Sequence, residues 1–212
     1  MKKKFMLLML ICTSVLVFTA CAAIQERVDA TAYERIHRQL MSMESFVAQA
    51  TVTYISNNSS HTYETTQHAR ISGEYRIEVT SPQNVAGNTT VFDGTTISQF
   101  NPRVDGRVSQ TTVEAPERLE ILLTSFVRNF VTSQEVSVTA ASLEEGLTTV
   151  LEATVPGNHP YMATQSLWVS NDTQLPVQMK IFDQNGTERI IVIFNSFEYN
   201  VSIGDEMFQI SQ

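Results

Sequence analysis

Cysteine is nearly absent from this chain. Only Cys12 and Cys21 occur among 212 residues, and Cys12 lies inside an apolar N-terminal run, so removal of that run leaves Cys21 alone. A single cysteine that is modified on its sulfur supports no intramolecular disulfide, no cysteine-ligated zinc site and no catalytic thiol. Stability must therefore come from a hydrophobic core, and residues 21–212 are enough to bury one as a single domain.

The only long apolar run lies at the N-terminus. Lys2–Lys4 are basic, and Phe5–Phe18 is apolar but too short to span a bilayer as a mature helix, which is the pattern of a signal peptide. The following Phe18-Thr19-Ala20-Cys21 resembles a bacterial lipobox, with Phe18 where leucine is usual. We predict that 1–20 is a lipoprotein signal peptide and that 21–30 is a tether whose Cys21 carries a diacylglycerol and acyl chains such as palmitate. The alternatives are an uncleaved anchor and a secretory signal cut after Ala20.

Basic residues are few. Removal of Lys2–Lys4 leaves 11 basic residues against 22 acidic ones, which makes nucleic-acid binding an unsuitable role. Anionic lipid head groups repel an acidic body, so we expect the folded part to stand off the membrane. The two chains of a diacylglycerol suffice for stable attachment. The predicted location is the extracytoplasmic face of the cell membrane.

After the tether, turn residues separate short segments rich in Val, Thr, Tyr and Ile, a pattern typical of antiparallel strands. A helix comes first, over about Ala32–Met43, because Thr31 and Glu34 match a capping box and apolar residues follow at helical spacing. Asp93-Gly94 and Asn185-Gly186 indicate hairpins. The predicted strands are Phe46–Ser56, Thr62–Ser72, Tyr75–Val79, Thr89–Asp93, Thr95–Asn101, Arg107–Val113, Glu135–Ala140, Thr148–Val155, Thr164–Ser170, Pro176–Phe182 and Thr187–Tyr199, of which the last is the longest.

A second helix is predicted over about Glu117–Phe130. Pro116 suits its first turn, Glu117 and Glu120 favour its positive end, and a broad apolar stripe follows. No repeat, low-complexity tract or change of composition marks a further boundary, so residues 31–212 are predicted to form one domain. The fold class is α+β, mainly β: a strongly curved antiparallel sheet of roughly nine to eleven strands, with two helices available to cover its concave face.

The last predicted strand is apolar on both faces. Ile190, Val192 and Phe194 point one way, while Ile191, Ile193 and Phe197 point the other. A solvated outer face would alternate with polar residues, so either a helix and a loop cover the two sides or part of this surface is a binding site. Together with the stripe of the second helix, the strand contributes to a predicted apolar pocket or partner surface formed by Leu119, Leu122, Phe126, Phe130, Ile190, Val192 and Phe194.

No set of side chains indicates catalysis or metal binding. His37, His61, His68 and His159 lack metal-ligand spacing, and the chain has no nucleophile elbow, phosphate loop or zinc-binding His-Glu-x-x-His helix. Glu144-Glu145-Gly146 is typical of a solvated turn. The segment Pro156–Tyr161 is either a contact site or a simple connection between strands. We therefore predict no catalytic residue, no metal and no cofactor.

Several motifs carry a resemblance to known proteins. The runs Gly73–Thr80, Phe92–Thr96, Gln99–Pro102, Leu175–Val177 and Phe197–Asn200 resemble the LolA and LolB superfamily of lipoprotein carriers. Within it, the segments Val85–Gly94, Leu123–Phe126 and Ser133–Ser137 are more similar to the clostridial germination lipoproteins of the GerS family. The resemblance covers about Tyr33–Phe208, and the order and spacing of the motifs are more specific than any one motif.

The superfamily resemblance implies a half-open β-barrel with helices in its mouth, where carriers accept acyl chains. Carriers are soluble, so a tether at Cys21 disfavours long-range transport but leaves a local lipid pocket open. The GerS resemblance implies a non-enzymatic partner of a zinc-dependent CwlD-type N-acetylmuramoyl-L-alanine amidase, which gives spore cortex its muramic-δ-lactam, in the intermembrane space of the forespore. Two hypotheses follow, an amidase partner and a binder of lipids or lipoprotein acyl chains. Exposed strand edges also permit a homodimer.

Overall fold

The computed structural model describes residues 28–104, 108–112 and 119–210. The predicted signal peptide 1–20, Cys21, most of the tether, Pro116 and Glu117 lie outside the described residues. Two α-helices are present in the described part, α1 (Ala30–Met41) and α2 (Leu123–Thr132), with a short 3-10 helix at Asp205–Phe208. The strands are β1 (Ser45–Ile55), β2 (Ser60–Arg70), β3 (Tyr75–Ser81), β4 (Thr89–Phe92), β5 (Thr96–Phe100), β6 (Val108–Thr112), β7 (Val136–Leu143), β8 (Gly146–His159), β9 (Met162–Ser170), β10 (Pro176–Phe182) and β11 (Glu188–Tyr199).

These eleven strands form one antiparallel sheet built from two meanders. Strands β1 to β6 run in sequence from the centre to one edge, and β7 to β11 return from the other edge to the centre, where β11 pairs with β1. The right-handed twist of the strands curves so wide a sheet, and β6 and β7 remain as its two edges. The predicted α+β class, with a curved, unclosed antiparallel sheet and two helices, is confirmed.

Helix α1 begins two residues before its predicted start. Asp29 is the N-cap, and its Oδ1 accepts hydrogen bonds from the backbone amides of Thr31 at 2.9 Å and Ala32 at 3.2 Å. A carboxylate both satisfies the free amides and favours the positive end of the helix dipole. The predicted capping box starting at Thr31 is therefore wrong. Ile36 and Leu40 form the buried face of α1 with Ala32.

Helix α2 begins at Leu123, so its predicted extension back towards Glu117 is wrong for residues 119–122. The N-cap Leu122 is extended, and the preceding turn closes with a hydrogen bond from its amide to the Leu119 carbonyl at 2.9 Å. Glu120, Ile121 and Leu122 are all buried. The extended backbone of Leu122, with φ of −93° and ψ of 138°, keeps the helix from continuing back into this segment.

Strand β8, with 14 residues, is longer than β11, with 12, so the prediction that β11 is the longest strand is wrong. The strand extends beyond the predicted Thr148–Val155 by Gly146 and Leu147 at its start and by Pro156–His159, predicted to be part of a loop, at its end. A register shift between Thr154 and His159 lets the strand resume pairing at His159 and Met162. Only Pro160 and Tyr161 remain as the connection to β9.

The hairpin turns predicted at Asp93-Gly94 and Asn185-Gly186 are confirmed. Asp93 Oδ1 accepts hydrogen bonds from the amides of Thr95 at 2.9 Å and Thr96 at 2.8 Å, and Gly94 has φ of 96°. Residues with a side chain rarely adopt that conformation, so glycine is favoured there. Glu144 and Glu145 are exposed in the turn between β7 and β8, as expected for a solvated connection.

Candidate functional site

An inner cavity of about 310 Å³ lies on the concave side of the first meander. Strands β1 to β5 form its floor, and the segment that precedes α2 closes one side. Its size falls at the lower end of the range for small-molecule pockets. Six lining side chains carry a hydroxyl or amide and six are aliphatic. The lining residues are Val52, Tyr54, Tyr63, Thr65, Tyr75, Ile77, Val79, Thr90, Ile97, Gln99, Leu119 and Ile121.

A buried polar cluster holds the closing segment in place. Asn129 Nδ2 donates to Glu120 Oε2 at 2.8 Å and to Gln165 Oε1 at 2.9 Å. Gln165 Nε2 in turn donates to the backbone carbonyl and to Oε2 of Glu120, both at 2.9 Å. Glu120 is 7% exposed and the two amides are fully buried. Such a buried carboxylate is stable only with several donors, so α2, β9 and the closing segment are joined by directional contacts.

Sequence reasoning missed this cluster, although two signals for it are present. Asn129 lies among the apolar positions of α2, and Gln165 occupies an inward-facing position of β9, beside buried Leu167. A polar residue at a core position requires a hydrogen-bonding partner. Glu120 was instead assigned to the first turn of a helix.

The structure places the seven residues of the predicted apolar surface in two different situations. Leu119 lines the inner cavity, and Ile190 lines a second cavity at the rim of the sheet. The other five belong to the packed hydrophobic core and line neither cavity: Leu122, Phe126, Phe130, Val192 and Phe194. Whether any of the seven contacts a lipid or a partner stays a prediction.

The expected division of β11 into two apolar faces is partly wrong. A bulge lies where Gln49 pairs with Ser196 and Ala50 pairs with Phe194, so Asn195 is the extra residue. The bulge reverses the alternation of the strand, and Phe197 joins Phe194 on the buried side, with their rings 5.5 Å apart. On the other face Ile193 is 38% exposed.

A rim cavity of about 550 Å³ lies at the end of the sheet where three turns meet. The turns between β1 and β2, β8 and β9, and β10 and β11 bring together residues far apart in sequence. Tyr54 lines both this cavity and the inner one, so the two adjoin. His159 and Tyr161, from the segment predicted as either a contact site or a connection, lie here with His61. The lining residues are Tyr54, Ile55, Ser56, Asn57, Ser59, His61, His159, Tyr161, Met162, Arg189 and Ile190.

Arg189 lies in the wall of the rim cavity and contacts a residue from each of the three turns. Its Nε donates to Asp183 Oδ2 at 2.8 Å, and its Nη1 donates to Asn57 Oδ1 at 2.8 Å. The guanidinium carbon lies 5.5 Å from the centroid of the Tyr161 ring, within cation–π distance. Arg189 therefore couples the three turns, and its donors are directed into the protein.

The pKa of Asp183 is lowered. The hydrogen bond from the Thr187 amide is the largest cause, and the Arg189 guanidinium and the Asn185 amide act in the same direction, whereas burial opposes them. The carboxylate accepts from these two amides at 2.9 and 2.8 Å respectively. The folded protein thus favours the ionised form of Asp183.

Stability should depend on pH through this carboxylate. Because the folded pKa is lower than the unfolded one, the contribution of Asp183 is fully present above the unfolded value of about 3.9 and is lost as pH falls through the folded value. Asp183→Asn should therefore lower the free energy of unfolding at neutral pH, and the difference from wild type should shrink in acid. Urea unfolding from pH 7 down to pH 3, roughly spanning the unfolded value, measures this. A difference that stays constant with pH would contradict the assignment.

Within the described part of the chain, no group of three or more His, Cys, Asp or Glu residues has an arrangement that could hold a metal ion. No helix there is both long and apolar enough to cross a membrane. The rim cavity instead combines aromatic rings, imidazoles and hydroxyl groups, a set that suits binding by stacking and hydrogen bonding.

The end of the fold that carries α1 lies away from the rim cavity. Arg35 of α1 donates to the Asn171 carbonyl at 3.3 Å, in the turn after β9. β9 begins at Met162, which lines the rim cavity, and ends at Ser170. Nine residues of strand span roughly 25–30 Å. Helix α1, which follows the predicted tether, therefore contacts the opposite end of β9.

Comparison with known sequence families decides the relationship of this chain. Residues 2–208 match the family described as "Sporulation protein YdcC-like". The chain belongs to the YdcC-like sporulation protein family. A search of curated proteins found no sequence that matches this chain.

Solved structures add a second line of similarity. The YdcC-like chain matches one chain of the structure of the CwlD amidase from Clostridioides difficile in complex with the GerS lipoprotein, at 26% identity and a TM-score of 0.50, covering 83% of this chain and 98% of that one. The predicted resemblance to GerS is confirmed. An uncharacterised conserved protein from Thermus thermophilus matches at 11% identity and a TM-score of 0.54, covering 86% and 93% of the two chains. A LolA superfamily protein from Nitrosomonas europaea aligns at 13% identity and a TM-score of 0.46, covering 85% and 96%.

Proposed function

We propose that this YdcC-like protein is a membrane-anchored, non-enzymatic lipoprotein that binds and supports a CwlD-type cell-wall amidase during spore cortex modification. The observation that carries the proposal is the match over nearly the full length of a chain in the CwlD–GerS complex. Membership of a sporulation family supports the same setting. A wide rigid sheet suits a binding role, because it can orient an enzyme without itself performing chemistry.

Co-purification tests the amidase partnership. The full chain with a C-terminal tag is extracted in detergent from sporulating cells, and bound proteins are identified by mass spectrometry. We expect an exported amidase among them, and we expect a deletion strain to make cortex that lacks muramic-δ-lactam. Recovery of no amidase, together with wild-type cortex in the deletion strain, would contradict the proposal.

The anchor is a separate part of the proposal and has its own test. We propose that Cys21 carries the lipid and holds the protein on the extracytoplasmic face of the cell membrane, in the forespore intermembrane space during sporulation. Cells fed a labelled fatty acid should incorporate label into the wild-type protein but not into Cys21→Ala. Label that persists in the variant, or that never enters the wild type, would sink this assignment.

The inner cavity favours a second candidate function, the binding of a lipid or of a lipoprotein acyl chain. Its aliphatic lining residues, among them Val52, Ile77 and Leu119, provide an apolar floor and side wall. Native mass spectrometry of the protein from membranes should then detect a co-purified lipid. If the purified protein never carries a lipid but still co-purifies with the amidase, the result supports the first function alone.

A further inference from the structure

The rim cavity has a different charge balance from the rest of this acidic chain. The sequence has 22 acidic and 14 basic residues, yet no Asp or Glu in the described residues lines this cavity. Its one permanent cation, Arg189, pairs with Asp183 at 2.7 Å, and Asp183 lies outside the lining. The wall is therefore close to neutral at neutral pH, which favours an uncharged ligand over an ion.

Tyr161 presents a flat aromatic surface on this wall. Arg189 lies over its ring and the centroid of the His159 ring lies 6.0 Å away, yet Tyr161 remains 56% exposed. His159 Nδ1 accepts a hydrogen bond from the Tyr161 amide at 3.3 Å, which fixes the turn. The contacts of the ring with Arg189 and His159 limit its motion before a ligand arrives, and this lowers the entropy cost of binding.

Neutral hydrogen-bonding groups surround that ring. Ser59 and His61 line the same cavity, with Ser59 Oγ 3.4 Å from His61 Nε2, and Tyr54 adds a second partly exposed phenol. A sugar matches this arrangement, because a pyranose presents C–H bonds on its faces and hydroxyl groups around its edge. The C–H bonds pack on the negative face of an aromatic ring, and the hydroxyls bond to imidazole and hydroxyl groups. We propose that the rim cavity is a saccharide-binding site for an uncharged glycan segment.

The position of the site agrees with this ligand. The rim cavity and the α1 contact at Asn171 lie at opposite ends of β9. With the chain tethered ahead of α1, the cavity faces away from the membrane, towards cell-wall glycan. This proposal goes beyond the proposed function and relies on it only for that orientation.

Chitotetraose, a neutral oligosaccharide of N-acetylglucosamine, serves as the probe. We expect its titration into the isotope-labelled full chain in detergent to give saturable NMR shifts at Tyr161, His61 and Met162. Tyr161→Ala should weaken the affinity about tenfold, because the stacking surface is lost. Tyr161→Phe keeps the ring and should stay within about twofold of wild type. Val131→Ala, at a 61% exposed position on α2, is the control and should bind as wild type does.

The spectrum of each variant away from the rim reports whether it has folded. Absence of saturable shifts in the wild type, or an unchanged affinity in Tyr161→Ala, would overturn the proposal. A third outcome is also possible: the wild type does not bind chitotetraose, and Tyr161→Ala no longer co-purifies with the amidase. That result would assign the rim cavity to a protein partner and would likewise overturn the saccharide proposal. Co-purification of the wild-type protein with the amidase is measured separately from chitotetraose binding. Failure of the saccharide site is therefore distinguishable from failure of the amidase proposal.

Discussion

Replacing Phe126 with alanine is expected to lower the free energy of unfolding by about 3–5 kcal/mol. Phe126 is fully buried, stacks on Phe130 with their ring centroids 5.9 Å apart and belongs to the hydrophobic core. Truncation removes the transfer free energy of the ring and leaves a cavity that the surrounding side chains fill only in part. Urea unfolding followed by circular dichroism measures the change as a lower midpoint with an unchanged slope.

Val131→Ala is the matched control on the same helix. Val131 is 61% exposed, so its truncation should change the free energy of unfolding by no more than about 0.5 kcal/mol. Equal losses from the two substitutions would contradict the packing of α2 against the sheet. A lower slope for Phe126→Ala would indicate instead that α2 had already separated in the native state.

Asn129→Ala is expected to destabilise the fold by about 2–4 kcal/mol. The substitution removes the amide that donates to both Glu120 Oε2 and Gln165 Oε1, and it leaves a buried carboxylate with fewer donors. Alanine is the better helix former and offsets about 0.5 kcal/mol of that loss. Because the cluster also holds the segment beside the inner cavity, amide hydrogen exchange at Ile121 and Leu122 should become faster in this variant.

A double-mutant cycle isolates the role of the charge. In the Glu120→Gln background the acceptor is neutral, so Asn129→Ala should cost less than it does in wild type. Asn195→Ala removes a comparable contact, Nδ2 to Thr51 Oγ1 at 2.9 Å, at an exposed position, and should cost no more than about 0.5 kcal/mol. Equal costs for Asn129→Ala in the two backgrounds would contradict a charge-dependent cluster.

Local patterns were enough to predict much of the fold. Asp93-Gly94 and Asn185-Gly186 encode hairpins whatever surrounds them, because an αL turn position favours glycine. The helices were also found, but their starts were not. Asp29 replaces Thr31 as the cap of α1, and the extended backbone of Leu122 delays the start of α2 to Leu123. Helix starts depend on which nearby residue caps the helix and on the backbone conformation before it, and hydrophobic periodicity reports neither.

The candidate site was less predictable than the fold. The apolar residues of α2 and β11 were identified, yet of the seven only Leu119 lines the inner cavity and only Ile190 lines the rim cavity. A single bulge at Asn195 reversed the expected side of Phe197, since one extra residue shifts the two-residue alternation of a strand. The rim cavity joins residues from three turns, and nothing in the sequence indicates that Asn57, Tyr161 and Arg189 meet.

The amino-acid pattern was enough to predict the class of this protein, a mainly β fold with two helices, and its resemblance to GerS. Those properties follow from hydrophobic periodicity, turn residues and motif order, which are local or collinear features. Which polar groups share the core, and which turns share the rim, is evident only from the folded chain. Such contacts join residues as distant as Glu120 and Gln165, or Asn57 and Arg189, and strand order and register, which place them together, are set by packing of the whole chain.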